Sequence, residues 1–495
     1  MSKFNACNCA LYSADAIRQM DAKQIASGTD GYVLMRRAAH SAFRLVRKRW
    51  PRAKRLVVLC GPGNNGGDGY VIAELAKRSG REVTLFSLAT PKTPSAINAA
   101  ADAASVEVNA QDFNEAAMCN ADLIIDAIYG TGLNREPDAK AAMFITSANA
   151  QVAPCLAVDI PSGLQADTGH TLGTAIVADA TISFIAAKLG MYTGNGPACC
   201  GEITLDTLEV AHQHIASQQP LAYRLNAAQI QAMLPNRNAS AHKGTAGHVV
   251  VIGGNQGMSG AVRLAAEAAL RTGAGLVSVA CHPACASAVS SGRPELMVRA
   301  IANSQDLDPL LQKATTIVLG PGLGQDNWAK SIYKAVLAHQ HPTVIDADAL
   351  NLLAQTPQRC PNTVLTPHPA EAARLLKSNT NTVQSNRPLA VQQLANKYQA
   401  TVVLKGPGSL VATENEALYL CDRGNAGMAS GGMGDLLTGV IAALLAAGSA
   451  AHQAAASGTW LHSAAADKAA RDGQTGLIAS DLLPALRQLR DRPTE

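Results

Sequence analysis

What this chain of 495 residues lacks already excludes several classes of protein. No apolar run reaches the roughly 20 residues needed to cross a bilayer; the longest, Leu436 to Ala447, is interrupted by Thr438 and Gly439. The opening MSKFNACNCALYS has no apolar h-region and does not read as a secretory signal. Charge is scarce, at 16% of residues, and nearly balanced, with 41 Lys plus Arg against 37 Asp plus Glu. No basic stripe interleaved with aromatics stands out, so nucleic acid is not an expected partner. C-x-x-C pairs are absent among the 11 cysteines, although Cys7-Asn8-Cys9 and Cys199-Cys200 stand close together. An odd, scattered set suits a reducing compartment better than a disulfide framework or a zinc cluster. Apolar residues, in contrast, make up 47%, too many for a disordered chain. The length suits two or three domains of roughly 100–200 residues each. A cytoplasmic protein working away from membranes is expected.

The first half alternates apolar runs with helical patterns. Leu56–Cys60 reads as a buried strand, and the stretch after Asp68 as an amphipathic helix closed by Gly80. Further strands are expected at Val83–Leu88, Leu123–Asp126, Cys155–Asp159 and Thr181–Ile185. Ser13–Arg49 reads as one helical region ended by Pro51. This alternation predicts a largely parallel sheet with helices on both faces, an α/β fold. Val210 to Gln219 is polar with no strand pattern, and Pro220 follows, which puts a domain boundary between residues 1–219 and 220–495. Strands then recur at His248–Ile252, Leu276–Ala280, Thr316–Leu319, Thr343–Ile345, Thr363–Leu365 and Thr401–Leu404. Ser259 is a candidate N-cap of a helix that Gly273 can end in the left-handed conformation. No internal repeat or low-complexity tract interrupts these two α/β units.

Gly61-Pro62-Gly63-Asn64-Asn65-Gly66-Gly67-Asp68-Gly69 joins the first strand directly to its helix. Glycines let backbone N–H groups approach an anion, and a helix N-terminus favours negative charge. The loop reads as neither the dinucleotide fingerprint nor a Walker loop, and no Lys-Ser/Thr pair ends it. The plain alternative is a tight strand-to-helix turn, but two Asn and an Asp are more polar than turning requires. Two more strands end in polar loops, Asp126 to Leu133 and Val158 to Gly163. Strand C-termini converge on one crevice in an open parallel sheet. Asn65, Asp126 and Ser162 could there supply oxygens to a hard monovalent cation, and Asp159 could be an acid/base, unless it only caps or braces a turn.

GPGNNGGDG together with VDIPSG resembles the epimerase domain of the bifunctional NAD(P)H-hydrate repair enzymes, over roughly residues 10–215. The resemblance implies a Rossmann-like three-layer domain that interconverts R and S hydrates at ring carbon six. It implies that Asn64, Asn65, Gly66, Gly67 and Asp68 contact the hydrated nucleotide, as do Gly130, Thr131, Gly132, Leu133, Asn134, Arg135, Glu136 and Asp159. It further implies potassium at Asn65, Asp126 and Ser162, and makes Asp159 the best candidate for handling the proton.

In the second half, Ala426 to Asp435 is a Gly-rich turn entering an apolar helix. Such a turn makes an anion hole, and the Asp at its end can serve as base beside a transferring phosphoryl group, though Asp after Gly is also an ordinary helix start. Lys405-Gly406-Pro407-Gly408-Ser409 offers amides and a cation to nucleotide phosphates. His368 sits between two prolines at a strand end, and Gly320 to Gly324 and Gly257 to Ala261 are further Gly-rich turns. HKGTAGHVVVIGG, LGPGLG, DADALNLL, TPHPAE, KGPGS and GGMGD together resemble the ADP-dependent NAD(P)H-hydrate dehydratase domain, with a ribokinase-like fold, over about residues 223–493. The resemblance implies that Ala261, Gly324, His368 and Asp435 contact the hydrate, and that Lys405, Gly406, Pro407, Gly408, Ser409 and Gly434 contact the adenine nucleotide. Met433 stands where many relatives have a small polar residue.

The resemblance therefore implies NADH hydrate, NADPH hydrate and ADP as partners, with potassium serving epimerisation and magnesium serving dehydration by phosphoryl transfer. A homo-oligomer is expected. The alternatives are a ribokinase-like kinase of a small alcohol or vitamin precursor fused to a nucleotide-binding scaffold, and a binding protein without chemistry. A scaffold has no need of Asp126, Asp159 and Ser162 at three converging strand ends.

Overall fold

A computed structural model describes residues 9–236, 240 and 242–494, so Cys7 lies outside the described residues. The chain divides into two compact units, Met1–Ala222 and Tyr223–Glu495.

The first unit is built on a parallel seven-stranded sheet. Arg55–Cys60 lies third from one edge, flanked by Glu82–Ser87 and Leu123–Ala127; Ala110–Gln111 extends one side, and Cys155–Val158, Ala180–Phe184 and Glu202–Asp206 the other. The chain winds outward from Arg55–Cys60 in one direction and then in the other, so the strand order reverses between Arg55–Cys60 and Leu123–Ala127. Loops leave that point in opposite directions and open a crevice above the strand C-termini. Leu56 to Cys60 and Leu123 to Ala127 are buried throughout, as strands covered on both faces must be. The edge strands Ala110–Gln111 and Glu202–Asp206 escape a reading by apolar runs because they are short or half polar.

Three sequence expectations change here, and a segment without a strand pattern gains a helix. The Ser13–Arg49 region is two helices, Ala14–Ala26 and Gly31–Arg49, separated by a turn in which Gly28 has φ +107°. Ser13 and Asp30 each cap one of them, giving the chain two starts where periodicity shows one. The segment around the domain boundary holds a short helix, His212–Ala216. The helix expected after Asp68 begins at Asn64, so the Asn-Asn-Gly-Gly-Asp stretch is its first turns and not a loop before it. Finally, Gly61, Gly63 and Gly66 do stand at G-x-G-x-x-G spacing. A Cβ on Gly61 would lie 1.9 Å from the Ile128 carbonyl oxygen, and one on Gly66 1.8 Å from that of Gly61. These two glycines thus do the steric work of the dinucleotide fingerprint. The acidic residue that would bind a ribose is missing, since the next strand ends in Ser87.

The second unit places seven parallel strands in the order Met297–Ala300, Leu276–Cys281, His248–Gly253, Thr316–Leu319, Thr343–Ile345, Thr363–Leu365 and Thr401–Leu404. Ser409–Ala412 and Tyr419–Cys421 follow in antiparallel pairing. Helices Met433–Ala446 and Ser259–Thr272 pack so closely that a Cβ on Gly439 would lie 1.9 Å from the Ala265 carbonyl oxygen. Ser259 is not the N-cap; Met258 holds that position without a side-chain bond, leaving the helix N-terminus uncapped, while Gly273 ends the helix with φ +109° as expected.

Candidate functional site

The crevice of the first unit is a cleft of about 670 Å³ at the reversal of strand order. Pro62 to Asn65, Asp68, Ile128 to Arg135 and Asp159 line it, with Ile17, Asp21, Leu34 and Met35 from the two N-terminal helices. Of the expected hydrate contacts, Gly66, Gly67 and Glu136 do not line it. Gly66 packs on Gly61, a Cβ on Gly67 would lie 2.5 Å from Met35 Cε, and Glu136 lies beside Gly173. Asn64 accepts a 2.6 Å bond from Thr93 Oγ1.

Asp159 ends its strand with φ +69°, a conformation a non-glycine residue holds only where its surroundings impose it. Its Oδ1 accepts from Lys188 Nζ at 2.5 Å and its Oδ2 from the Thr131 N–H at 2.9 Å. Lys188 is fully buried and was invisible to sequence reading, since nothing in FIAAKLG marks this lysine as facing inward. Asp68 and Asp21 stand near Asp159 in the cleft. Burial first, then the charges of Asp159 and Asp21, push the Asp68 carboxyl well above its ordinary range; burial and Asp159 raise Asp21 as well.

Beneath the cleft, Asp126 is fully buried. It accepts from Ser162 Oγ at 2.6 Å, from the Ser162 N–H at 2.8 Å and from the Ile128 N–H at 3.2 Å. Burial lifts its carboxyl to about 6 against the pull of those bonds. Ser162 Oγ also meets both backbone groups of Tyr129. Asn65 stands against the next residue, Gly130, and both polar atoms of its carboxamide are buried without a hydrogen-bond partner. An orphaned amide beside a buried carboxylate and hydroxyl is a donor set that fits a hard monovalent cation.

A Cβ on Gly130 would lie 2.7 Å from Asp159 Oδ2. Gly130→Ala is therefore expected to lower the activity that depends on Asp159 by about 10²-fold or more, through displacement of the carboxylate. Thermal melting should barely move, because Gly130 is not among the positive-φ residues. Assay and melting curve of the purified variant check this.

In the second unit the site gathers around Lys405 Nζ, which lies 2.9 Å from Asp346 Oδ1 and 3.8 Å from Glu371 Oε2. Burial opposes the charge of Lys405, but Asp346, Glu371 and Asp435 outweigh it and raise its pKa. Asp346 also accepts from Thr438 Oγ1 at 3.0 Å. Asp435 sits in the first turn of helix Met433–Ala446, whose N-cap Gly432 has φ +87°. A Cβ on Gly434 would come 3.2 Å from Lys405 Nζ, so that turn and the lysine face each other. Burial, reinforced by Asp346, lifts the Asp435 carboxyl to about 7 although Lys405 opposes it. Burial brings Glu371 to about 7 likewise.

His368 caps helix Pro369–Leu376: its Nδ1 accepts from the Ala370 and Glu371 N–H groups, at 3.1 and 3.4 Å. That leaves Nε2, 3.4 Å from Glu371 Oε1, as the ring atom able to meet a ligand. Burial and the charges of Lys405 and Arg374 lower its pKa. Gly406 and Gly408 have φ +135° and +60°, which turns the backbone after Lys405, and Ser409 Oγ donates to the Gly406 carbonyl at 3.0 Å. Buried Arg387 braces the turn with bonds to the Leu404 and Lys405 carbonyls, 3.3 Å each. The Gly324 N–H donates to Asp348 Oδ2 at 2.8 Å, and Ala261 lies against Gly322 in the same loop. The segments DADALNLL and TPHPAE also hold Asp346, Asp348 and Glu371, carboxylates not among the expected contacts. The rule that picked out Asp126, a carboxylate at a strand end, applies equally to Asp346 after Thr343–Ile345.

Two family profiles match this chain, "YjeF-related protein N-terminus" over residues 31–190 and "NAD(P)H-hydrate dehydratase" over 249–488. The bifunctional NAD(P)H-hydrate repair enzymes of Coxiella burnetii and Escherichia coli are 44% and 43% identical to it, over 97% of this chain and 99% and 93% of theirs. A solved ADP/ATP-dependent NAD(P)H-hydrate dehydratase from Bacillus subtilis, co-crystallised with ATP and Mg2+, has a TM-score of 0.50 and 28% identity, covering 54% of this chain and 97% of that one. A ribokinase-like superfamily protein from Enterococcus faecalis gives 0.51 and 30%, over 54% and 95%. The chain belongs to the family of bifunctional NAD(P)H-hydrate repair enzymes.

Proposed function

We propose that the two crevices divide the repair of hydrated nicotinamide cofactors between them: the first unit equilibrates the R and S hydrates of NADH and NADPH, and the second dehydrates the S form with ADP. The observation that carries this reading is that Asp159 lines the strand-end cleft of the first unit, while in the second Asp435 opens the helix whose Gly434 turn faces Lys405. The kinase alternative loses ground to relatives that share the whole chain and not only its second unit.

In the second unit Asp435 takes the proton of the ring hydroxyl as the hydroxyl oxygen attacks the terminal phosphorus of ADP, and AMP leaves as the bond from that phosphorus to the bridging oxygen breaks. The N–H groups of the Gly432 turn and Lys405 stabilise charge on the transferring group. Hydroxide, a poor leaving group, thereby becomes phosphate, and its loss with the proton from C5 restores the 5,6 double bond. Magnesium neutralises phosphate charge when bound. An ion carried in on the nucleotide could be met by a single carboxylate such as Glu371, beside Lys405. In the first unit Asp159 takes the hydroxyl proton of the hydrate as the C6–N1 bond opens to an aldehyde, with the electron pair going to N1, and returns the proton to oxygen when N1 closes on the other face of that carbonyl. Asn65, Asp126 and Ser162 would hold potassium, whose charge orders the loops beneath the cleft.

Lys405→Ala should raise the ADP concentration needed for half-maximal dehydration by about tenfold or more while epimerisation continues, because it removes a cation that faces the Gly434 turn. Titration of ADP on the variant reads it; equal loss of both activities would mean unfolding. The reading as a whole is tested by adding the purified chain to enzymatically hydrated NADH and following reduced-nicotinamide absorbance with ADP, ATP or neither. Recovery of absorbance with phosphate release is expected, and a stable phosphorylated product would return the kinase reading.

A further inference from the structure

We propose that Lys188 is a positioning residue for epimerisation, holding the Asp159 carboxylate so that a single oxygen, Oδ2, faces the substrate and takes the proton. The inference rests on the assignment of Asp159 above and adds to it a residue that the motifs do not contain.

Three observations carry it. First, the ammonium of Lys188 has three protons and three acceptors: Asp159 Oδ1 at 2.5 Å, Ser183 Oγ at 2.6 Å and the Phe184 carbonyl at 3.3 Å. Nothing is left to offer a ligand, and Lys188 does not line the cleft although Phe184 and Ile185 do. It can act only through what it holds. Second, a buried ammonium is stable only when paired, and Asp159 is the anion it pairs with. The pair ties Oδ1 down and leaves Oδ2, steadied by the Thr131 N–H and open toward Gly130, as the oxygen that meets the hydrate. Third, Asp159 and Ile185 both have left-handed backbones, φ +69° and +67°, at the ends of adjacent strands. Asp159 donates its N–H to the Ile182 carbonyl at 2.7 Å, and Lys188 joins the same two strand ends through side chains. Strain at two neighbouring non-glycine positions persists where surrounding bonds over-determine the geometry, and this lysine is one of those bonds.

The full chain, assayed without nucleotide on the R hydrate by chiral chromatography, tests the proposal. K188M is expected to lower kcat about 10²-fold with KM changed less than about threefold, since a misplaced base slows the reaction without altering the contacts that bind substrate. In the D159N background, K188M should cost nothing further, because a residue that acts through Asp159 has no effect once the carboxylate is gone. Dehydratase activity of the same protein and its melting curve report folding. Wild-type kcat in K188M, a rise in KM at constant kcat, or additive losses in the double variant would each overturn the proposal. Should K188M fail to fold, S183A decides, since it removes one of three anchors and keeps the charge; a severalfold fall in kcat supports positioning and an unchanged kcat overturns it. If D159N itself equilibrates the hydrates normally, the assignment of Asp159 fails first and is recognised separately.

Discussion

Asp435→Asn should lower dehydration by about 10²–10⁴-fold, the span that a positioned general base contributes, while ADP binding and epimerisation persist. The amide keeps the size and most hydrogen bonds of the carboxylate but cannot accept a proton. The pH dependence follows from the same group. Burial lifts the Asp435 carboxyl to about 7, so it is protonated and inactive as a base below that value and ionised above it. Dehydration by the wild-type chain should therefore rise tenfold per pH unit below about 7 and level off above. The variant should lose that limb along with its rate. Initial rates of NADH recovery between pH 5.5 and 8.5, with ADP affinity measured by calorimetry, check both parts; a variant at near-wild-type turnover would remove Asp435 from the mechanism.

Asp159→Ala should abolish equilibration of the R and S hydrates without nucleotide, leaving hydrate binding measurable and dehydration of pure S hydrate intact. The carboxylate is assigned proton transfer, whereas the remaining cleft wall, including Pro62 to Asn65 and Ile128 to Arg135, is left unchanged to bind the hydrate. Removing Asp159 also strips Lys188 of its anion, so some loss of thermal stability should accompany the loss of rate. Chiral chromatography after incubation reads the first effect and a melting curve the second. Normal equilibration by a folded variant would move the proton-handling role elsewhere in the cleft, with Asp68 and Asp21 the carboxylates in reach.

Both predictions concern residues named from motifs alone, and the reason is local. Asp435 follows Gly432-Met433-Gly434 at the mouth of an apolar helix, and Asp159 follows a four-residue buried strand. Such positions are fixed by chain geometry over a few residues, so a string of letters records them. His368 shows the limit of that. The flanking prolines marked it as special, but only the folded chain divides its ring into a capping Nδ1 and an outward Nε2. Ser259 shows the opposite failure, a good cap residue that the structure places inside the first turn instead. Capping depends on where the preceding loop delivers the backbone, which no propensity encodes.

By itself the sequence determined the α/β class of both units, the central strands, and the Gly-rich turns that open each crevice, because apolar periodicity and turn chemistry are properties of short segments. The tertiary structure alone decided which charges meet. Lys188 reaches Asp159 across 29 positions of sequence, Lys405 reaches Asp346 across 59, and Thr438 reaches Asp346 across 92. Nothing local links such pairs. They meet because parallel strands bring their C-terminal ends to one edge of the sheet, and because a buried charge is tolerated only where the fold supplies its partner.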